Sequence, residues 1–264
     1  MTKDILSEIV KQKTAEVEKA RRKTPLKEVR GRAEASAATR SFLKQFTGEH
    51  RSGVNIIAEI KRASPSKGPI RPDLDPGALA SAYESGGAAA ISVLTDTPWF
   101  MGSLEDLARA RVAVDLPVLR KDFIVSAYQV YESRAWGADA VLLIAGILSG
   151  GQMKALFHLS KSLGMDVLLE VHVEAEIATS MNVGARLIGI NNRDLKSFKT
   201  DTRTAVRLAR QLAPDQVPVA ASGIHDKKDI EFNLAAGINT FLIGESLVRS
   251  RDPVKMLRKM TSGY

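Results

Sequence analysis

Eight short apolar runs recur along the chain, each six to eight residues long and rich in Val, Ile and Leu. Their hydrophobicity is nearly continuous rather than alternating, which is typical of strands that are covered on both faces. The pattern therefore predicts eight buried strands, at residues 54–61, 88–95, 117–123, 140–145, 166–171, 187–192, 217–222 and 240–245.

Longer amphipathic segments separate these runs, for example LEDLARARVAV (104–114), QVYESRAWG (129–137) and DIEFNLAAG (229–237). Their apolar residues lie three and four positions apart, which is the spacing of a helix with one buried face. Strict alternation of strand and helix predicts parallel βαβ units joined by right-handed crossovers.

The spacing of four glycines indicates the number of strands. Gly87, Gly137, Gly184 and Gly237 stand just before the even-numbered strands, at intervals of 50, 47 and 53 residues. We expect each to adopt the left-handed conformation that ends a helix. Four two-strand quarters make eight strands, the number of a closed (β/α)8 TIM barrel. The alternative, an open doubly wound sheet, predicts a G-x-G-x-x-G fingerprint after the first strand, where the chain reads RASPSKGP.

An N-terminal segment precedes the first strand. Ile5, Leu6, Ile9, Val10 and Val17 fall on one face of a predicted helix that packs onto the barrel. A second helix or loop is expected around residues 40–46. Because no stretch is rich enough in Pro, Gly or Ser to form a linker, we interpret residues 1–264 as one domain, with 1–50 a helical extension and 51–264 the barrel.

The amino-acid composition excludes several kinds of functional site. The chain lacks cysteine, which excludes disulfides, a thiolate nucleophile and a cysteine zinc site, and its four histidines are widely spaced. Its 38 basic and 30 acidic residues give a formal charge of +8. That charge fits nucleic acid, an acidic membrane or a small anionic substrate equally well. The charged N-terminus and the lack of a run of about 18 apolar residues favour the cytoplasm over a secreted or membrane location.

Polar residues stand where the predicted strands end. They are Glu59, Lys61, Lys121, Asp122, Glu170, Asn191, Arg193, Ser222, Gly223, Gly244 and Glu245. The carboxyl ends of barrel strands converge on one mouth, where barrel enzymes carry their active sites. An internal salt bridge could account for Glu59 and Lys61 if they were the only such pair. Because polar residues also stand at the ends of other strands, we favour an active site.

These residue types indicate acid–base chemistry on a phosphorylated substrate. A lysine whose proton affinity is set by a second lysine and by carboxylates is a usable general acid, and an opposing carboxylate is a base. Glycines after strands seven and eight expose backbone N–H groups, and these loops hold phosphate in many barrels.

Seven motifs carry a resemblance to a known family. They are AEIKRASPSKG (58–68), SVLTD (92–96), PVLRKDFI (117–124), LLEVH (168–172), IGINNRDL (188–195), ASGI (221–224) and FLIGESLVR (241–249). Together they resemble indole-3-glycerol phosphate synthase over essentially the whole chain. The resemblance implies a (β/α)8 barrel that converts 1-(o-carboxyphenylamino)-1-deoxyribulose 5-phosphate, an anionic phosphosugar, into indole-3-glycerol phosphate, CO2 and water, without cofactor or metal.

The resemblance also implies roles for individual residues. Lys121 is the expected general acid and Glu170 the expected general base, while Lys61 steers the substrate carboxylate. Glu59 is expected to hold the lysines and Asn191 to bind the developing hydroxyl. The remaining implied contacts are Ser64, Arg193 and Ser222 with the substrate, Phe100 and Phe123 with its ring, and Gly223, Gly244 and Glu245 with its phosphate.

Ala221 departs from the family pattern, which has a glutamate before Ser222-Gly223. We expect catalysis to survive with reduced efficiency, because the acid and the base both remain. A second departure, Met101, is expected to alter only the pocket wall.

Two alternatives remain open at this point. One is another phosphosugar barrel, such as phosphoribosylanthranilate isomerase. The other is a nucleic-acid-binding module, which predicts clustered basic residues interleaved with aromatic ones. Only 5% of residues are aromatic, so we expect no nucleic-acid or membrane partner and a monomer or weak homo-oligomer.

Overall fold

The computed structural model describes residues 5–47, 53–194 and 199–263. Eight parallel strands close into a barrel in chain order, with the first strand paired to the eighth. The strands are β1 (Asn55–Ile60), β2 (Ala90–Leu94), β3 (Val118–Lys121), β4 (Ala140–Ile144), β5 (Asp166–Val171), β6 (Leu187–Asn191), β7 (Val217–Ala221) and β8 (Thr240–Ile243). Each lies within one of the eight apolar runs, so the predicted (β/α)8 barrel is confirmed.

Helices alternate with the strands around the outside of the barrel. They are α1 (Ile5–Lys23), α2 (Leu26–Glu34), α3 (Pro76–Ser85), α4 (Thr97–Phe100), α5 (Leu104–Ala113), α6 (Ala127–Ala135), α7 (Gly150–Ser162), α8 (Glu174–Asn182), α9 (Arg203–Ala209), α10 (Lys227–Leu234), α11 (Glu245–Arg249) and α12 (Pro253–Thr261). Short 3-10 turns lie at Leu43–Phe46 and Ala145–Ile147. Within the described ranges, no helix has both the length and the apolar character needed to cross a bilayer.

Two apolar layers explain why the strands are nearly continuous in hydrophobicity. Alternate residues such as Ile57, Leu119 and Leu168 fill the barrel interior. Their neighbours, such as Ile56 and Val118, pack outward against the helices. Both sets are buried, as expected for a parallel sheet that helices cover completely.

The repeating glycines adopt the predicted conformation. Gly87, Gly137, Gly184 and Gly237 have φ angles of 88°, 86°, 70° and 80°. Each lies between the end of a helix and the start of β2, β4, β6 or β8. A residue with a side chain would be strained there, so the glycines allow the short return from helix to strand.

The N-terminal extension contains one helix more than the sequence predicted. The predicted first helix is α1, and the element expected near residues 40–46 is the 3-10 turn at Leu43–Phe46. Helix α2, which packs against α6, was missed. Its segment LKEVRGRAE buries only Val29 and Ala33 and contains a glycine, so its helical pattern is weak.

A buried lysine attaches α1 to the barrel. Lys13 lies 2.6 Å from Asp96 and 3.1 Å from Asp122, and both carboxylates are buried. Burial lowers the pKa of Lys13, but the charges of Asp122 and Asp96 outweigh this effect and the net shift is upward. Lys13 is therefore a cation that anchors α1 beside the ends of β2 and β3.

Candidate active site

A pocket lies at the carboxyl ends of the strands, as the barrel fold predicts. Its lining includes all the site residues inferred from the sequence, namely Glu59, Lys61, Ser64, Phe100, Lys121, Phe123, Glu170, Asn191, Arg193, Ser222, Gly223, Gly244 and Glu245. Helix α1 adds Leu6 and Ile9. The structure thus brings together residues that are up to 186 positions apart, from Glu59 to Glu245.

Lys121 and Glu170 form an ion pair in the interior of the pocket, with the lysine Nζ 3.5 Å from Glu170 Oε2. Asn191 Nδ2 donates a hydrogen bond to Glu170 Oε1 over 3.1 Å. The carboxylate is therefore held from two sides, by a cation on β3 and by an amide on β6. This arrangement fixes both of its oxygens near the end of β5.

Opposite charges keep both members of this pair ionised. Burial lowers the pKa of Lys121, but the charges of Glu170 and Glu59 outweigh burial and raise it above its usual value. Burial likewise raises the pKa of Glu170, but Lys121, His172 and Asn191 outweigh burial and lower it to about 2. At neutral pH the pocket thus contains a protonated lysine that can donate a proton and a carboxylate that can accept one.

Glu59 and Lys61 form a second ion pair at the mouth, at the end of β1, with Nζ 2.8 Å from Glu59 Oε1. Glu59 is buried and lies against the backbone of Gly244. A Cβ atom at position 244 would lie only 2.4 Å from Glu59 Oε1 and 3.0 Å from Lys61 Nζ. Glycine at position 244 therefore leaves the space that this pair occupies.

Replacing Gly244 with Ala should separate this ion pair. We expect kcat/KM to fall by about tenfold, and the free energy of unfolding to fall by about 1–2 kcal/mol because the added methyl overpacks a filled site. Gly151→Ala is the matched control, since a Cβ at position 151 meets no atom within 4 Å. Steady-state kinetics and urea denaturation measure both effects, and equal behaviour of the two variants would contradict the packing role.

An apolar wall faces the charged groups. The rings of Phe100 and Phe123 are 6.3 Å apart and inclined at 40°, with Leu6 and Ile9 of α1 beside them. Sequence analysis assigned the two aromatic residues to this wall but treated the α1 residues only as packing. Their apolar face was visible in the sequence, but its position over the mouth depends on Lys13 and its buried partners.

The loop after β1 crosses part of the mouth. Ala63–Ser64 and Gly68–Pro69 form a short antiparallel hairpin, and Arg193 Nη1 donates a hydrogen bond to Ser66 Oγ in its turn. The buried Ser64 Oγ has no hydrogen-bond partner among the described residues and lines the pocket. A buried hydroxyl without a partner is suited to contact a bound molecule.

The loop after β7 has an unusual backbone. Ser222 and Gly223 both adopt left-handed conformations, with φ angles of 66° and 75°. The buried Asn192 supports this turn by donating from Nδ2 to the carbonyl oxygen of Ser222 over 3.0 Å. Strain of this kind at a non-glycine residue is typical of functional sites. Sequence analysis missed the supporting role of Asn192, because its partner is a backbone atom 30 positions away.

Ala221 lies beside Asn191 on β6 and Leu242 on β8, and it lines the pocket. Its small side chain leaves an apolar surface at this point of the mouth. Met101, in contrast, lies outside the pocket lining: it is 43% exposed and ends α4 in a left-handed conformation, with φ 56°. Its expected place in the pocket wall was wrong, because the chain turns away from the mouth directly after Phe100.

Across residues 5–47, 53–194 and 199–263, no group of three or more His, Asp or Glu side chains is arranged to hold a metal ion.

The fold and the pocket together define a barrel enzyme with a lysine–glutamate ion pair at the mouth of its barrel. The family model for indole-3-glycerol phosphate synthase matches residues 6–260. Synthases of this name from Desulfosudis oleivorans and Neisseria gonorrhoeae are 56% and 49% identical to this chain. The alignments cover 97% and 94% of this chain, and 98% and 96% of the relatives. The chain therefore belongs to the indole-3-glycerol phosphate synthase family, which comprises carboxy-lyases of tryptophan biosynthesis.

Solved structures of other enzymes show a similar fold. Thiamine phosphate pyrophosphorylase from Pyrococcus furiosus superposes with a TM-score of 0.60 at 15% sequence identity, over 78% of this chain and 93% of that one. An N-acetylmannosamine-6-phosphate 2-epimerase from Clostridium perfringens gives a TM-score of 0.56, also at 15% identity, over 73% of this chain and 86% of that one. At this level of identity the likeness concerns the barrel alone.

Proposed function

We propose that the pocket closes the indole ring of indole-3-glycerol phosphate, with Lys121 as general acid and Glu170 as general base. The observation that carries this assignment is the buried Lys121–Glu170 pair, which presents a protonated and an ionised group 3.5 Å apart beside an aromatic wall. Family membership supports the reaction, and the geometry supports the roles of individual residues.

The first step joins the two halves of the substrate. The ring carbon that bears the carboxylate attacks the ribulose carbonyl carbon, and Lys121 gives its proton to the carbonyl oxygen. The new C–C bond interrupts aromaticity, and loss of CO2 returns the electron pair of the broken C–C bond to the ring. Lys61 is placed to hold the departing carboxylate, and Glu59 fixes Lys61 through their 2.8 Å contact.

The second step removes water. Glu170 takes a proton from the substrate while the hydroxyl formed in the first step leaves with a proton from an acid in the pocket. Asn191 contacts Glu170 directly, so its amide lies where it can also bind this hydroxyl. The first step thus uses Lys121 as the acid and the second uses Glu170 as the base, and both groups line the same pocket, as general acid–base catalysis requires.

The remaining contacts orient the substrate across the mouth. We assign the ring to the space beside Phe100 and Phe123, and the phosphate to the backbone N–H groups of Gly223, Gly244 and Glu245. Ser64, Ser222 and Arg193 complete the contacts. The wall and the glycine loops line the same pocket, and an extended anion with an aromatic end requires both.

A glutamate at position 221, as in the family pattern, should increase the catalytic efficiency. We expect Ala221→Glu to raise kcat/KM about threefold to tenfold, because the new charge would orient or balance the lysines. Ala221→Gln is the matched control, since it adds nearly the same volume without charge. Comparison of the three proteins in the same assay isolates the effect of charge. An unchanged or lower value for the glutamate variant would contradict the orienting role.

We propose no nucleic-acid partner, a cytoplasmic location and a monomeric or weakly associated state. The low aromatic content and the position of Lys61, Lys121 and Arg193 in a small pocket support a small anionic ligand over a nucleic acid. DNA or RNA binding that weakens steeply with salt would contradict the absence of a nucleic-acid partner. Light scattering tests the oligomeric state.

The direct test of the proposed function uses the carboxyphenylamino-ribulose phosphate as substrate. Incubation with the purified protein should produce indole fluorescence, with one CO2 released per indole formed. No signal above background from a folded sample would overturn the assignment. Conversion to a different phosphosugar product without CO2 release would instead favour the isomerase-like alternative.

A further inference from the structure

His172 follows β5 directly, and no step proposed above uses it. Only 12% of its side chain is exposed, and its imidazole lies between two carboxylates. Its Nε2 is 3.3 Å from Glu170 Oε1, and its Nδ1 is 3.7 Å from Glu176 Oε2. Neither His172 nor Glu176 lines the described pocket, so both lie behind the carboxylate that we assign as the base.

Glu176, in the first turn of α8, is itself held in place. Its Oε2 accepts a hydrogen bond from the backbone N–H of His172 over 2.6 Å. On its other side, a Cβ at Gly146 would lie 3.0 Å from Glu176 Oε1, so this carboxylate packs closely against the Ala145–Ile147 turn. Because both neighbours are backbone segments, Glu176 has little freedom to move away from the imidazole.

Both imidazole nitrogens face carboxylate oxygens. An ionised carboxylate only accepts hydrogen bonds, and a neutral imidazole has one nitrogen that also only accepts. A neutral ring would therefore place a lone pair near one of the two carboxylates, whereas the imidazolium is attracted by both charges at distances of 3.3 and 3.7 Å. Burial lowers the pKa of His172, but Glu170 and Glu176 outweigh burial and raise it to about 9. The charged groups that face the ring are thus Glu170 from β5 and Glu176 from α8.

The result is a row of alternating charges that leads out of the pocket: Lys121, Glu170, His172 and Glu176. Glu170 is its most deeply buried member, with 3% of its side chain exposed, and it lies between two cations. Without His172, Glu170 would face Lys121 as its only described cationic partner, and it would bind a proton more readily.

We propose that His172 is a positioning residue for the catalytic carboxylate: its imidazolium, held by Glu176, orients Glu170 and keeps it ionised. The inference rests on the role proposed for Glu170. It predicts an effect on turnover rather than on substrate binding, because His172 lies outside the pocket lining.

His172→Asn tests this role by removing the cation. We expect kcat to fall about tenfold, because the catalytic carboxylate loses the imidazolium that orients it, with KM within about twofold. The acid limb of the kcat–pH profile should move to higher pH, because a carboxylate with a raised pKa loses its charge earlier as the pH falls. Glu176→Gln should shift both quantities in the same direction and by less.

His158→Asn is the matched control, since His158 is an exposed histidine on α7. A wild-type level of kcat and an unmoved acid limb in His172→Asn would overturn the proposal. So would a lower kcat with an unmoved acid limb and a lower melting temperature, which is the result of a purely structural role. If the wild-type protein itself shows no synthase activity, the proposed function fails instead.

A second readout needs no turnover. NMR titration of the imidazole signals, with that of His172 identified by its loss in His172→Asn, should show His172 still protonated at pH 8 in the wild-type protein. Glu176→Gln should lower its pKa. A His172 signal that titrates near the ordinary value of about 6.5 would overturn the proposal.

Discussion

Lys121→Ala should lower kcat by about 10³-fold while the barrel stays folded, since general acid catalysis of this kind contributes about 10²–10⁴-fold. The variant removes the protonated group that we propose as the general acid and leaves Glu170 with His172 as its charged neighbour. Lys121 stands at the end of β3, and the interior packing below it is supplied by Leu119 and its neighbours. The loss should therefore appear chiefly in turnover, with a smaller cost in stability because Glu170 loses one partner of a buried ion pair.

Steady-state kinetics and circular dichroism of the same sample separate these two effects. Lys154→Ala, on the exposed surface of α7, is the matched control and should retain the wild-type rate. Retained turnover in Lys121→Ala would show that the acid is wrongly assigned. Lys61 would then be the next candidate, because its ammonium group lies in the same pocket.

The largest effect on stability is expected from Lys13→Met. The substitution nearly preserves side-chain volume but leaves Asp96 and Asp122 buried without their shared cation. Removing one partner of a buried ion pair costs about 3–5 kcal/mol, and we expect a loss of about 3 kcal/mol here because Asp122 keeps Arg120. Urea denaturation of the variant and the wild type measures the difference.

The same substitution should also weaken substrate binding. Lys13 holds α1, which contributes Leu6 and Ile9 to the apolar wall, so KM should rise. Lys11→Met, at an exposed position on the same helix, is the control and should change stability by less than about 0.5 kcal/mol. A loss below about 1 kcal/mol in Lys13→Met would show that the buried cluster does not anchor the extension.

Asp122 contributes a pH-dependent stabilisation of its own to this cluster, whereas burial outweighs Lys13 at Asp96 and raises the pKa of that carboxyl. Burial raises the pKa of Asp122, but Arg120, Lys13 and the hydrogen bonds of Thr95 and Arg120 outweigh burial and lower it to about 2 from an ordinary value of 3.8. Its folded pKa thus lies below its unfolded one. The stabilisation is present above about pH 4 and is lost as the pH falls towards 2.

The sequence predicted those features that depend on local pattern. Continuous apolar runs located the strands, and the glycine spacing gave their number, because both follow from burial and backbone conformation at single positions. The predicted strand ends located residues that line the pocket, since eight parallel strands must bring their carboxyl ends to one mouth.

Features that depend on contacts between residues far apart in the chain could not be predicted from the sequence. Lys13 and Asp122 are separated by more than 100 positions, and nothing in either segment shows that they meet. The position of His172 between two carboxylates requires the bend after β5 that Glu176 stabilises. Helix α2 was missed because it is stabilised by packing on α6 rather than by an apolar face of its own.

A crystal structure of the protein with bound indole-3-glycerol phosphate is the most direct test of the site. We expect the indole ring beside Phe100 and Phe123, Lys121 Nζ facing the newly closed ring, and the phosphate on the backbone N–H groups of Gly223 and Gly244. A product molecule whose ring lies away from Lys121 and Glu170, or whose phosphate lies outside these two loops, would contradict it.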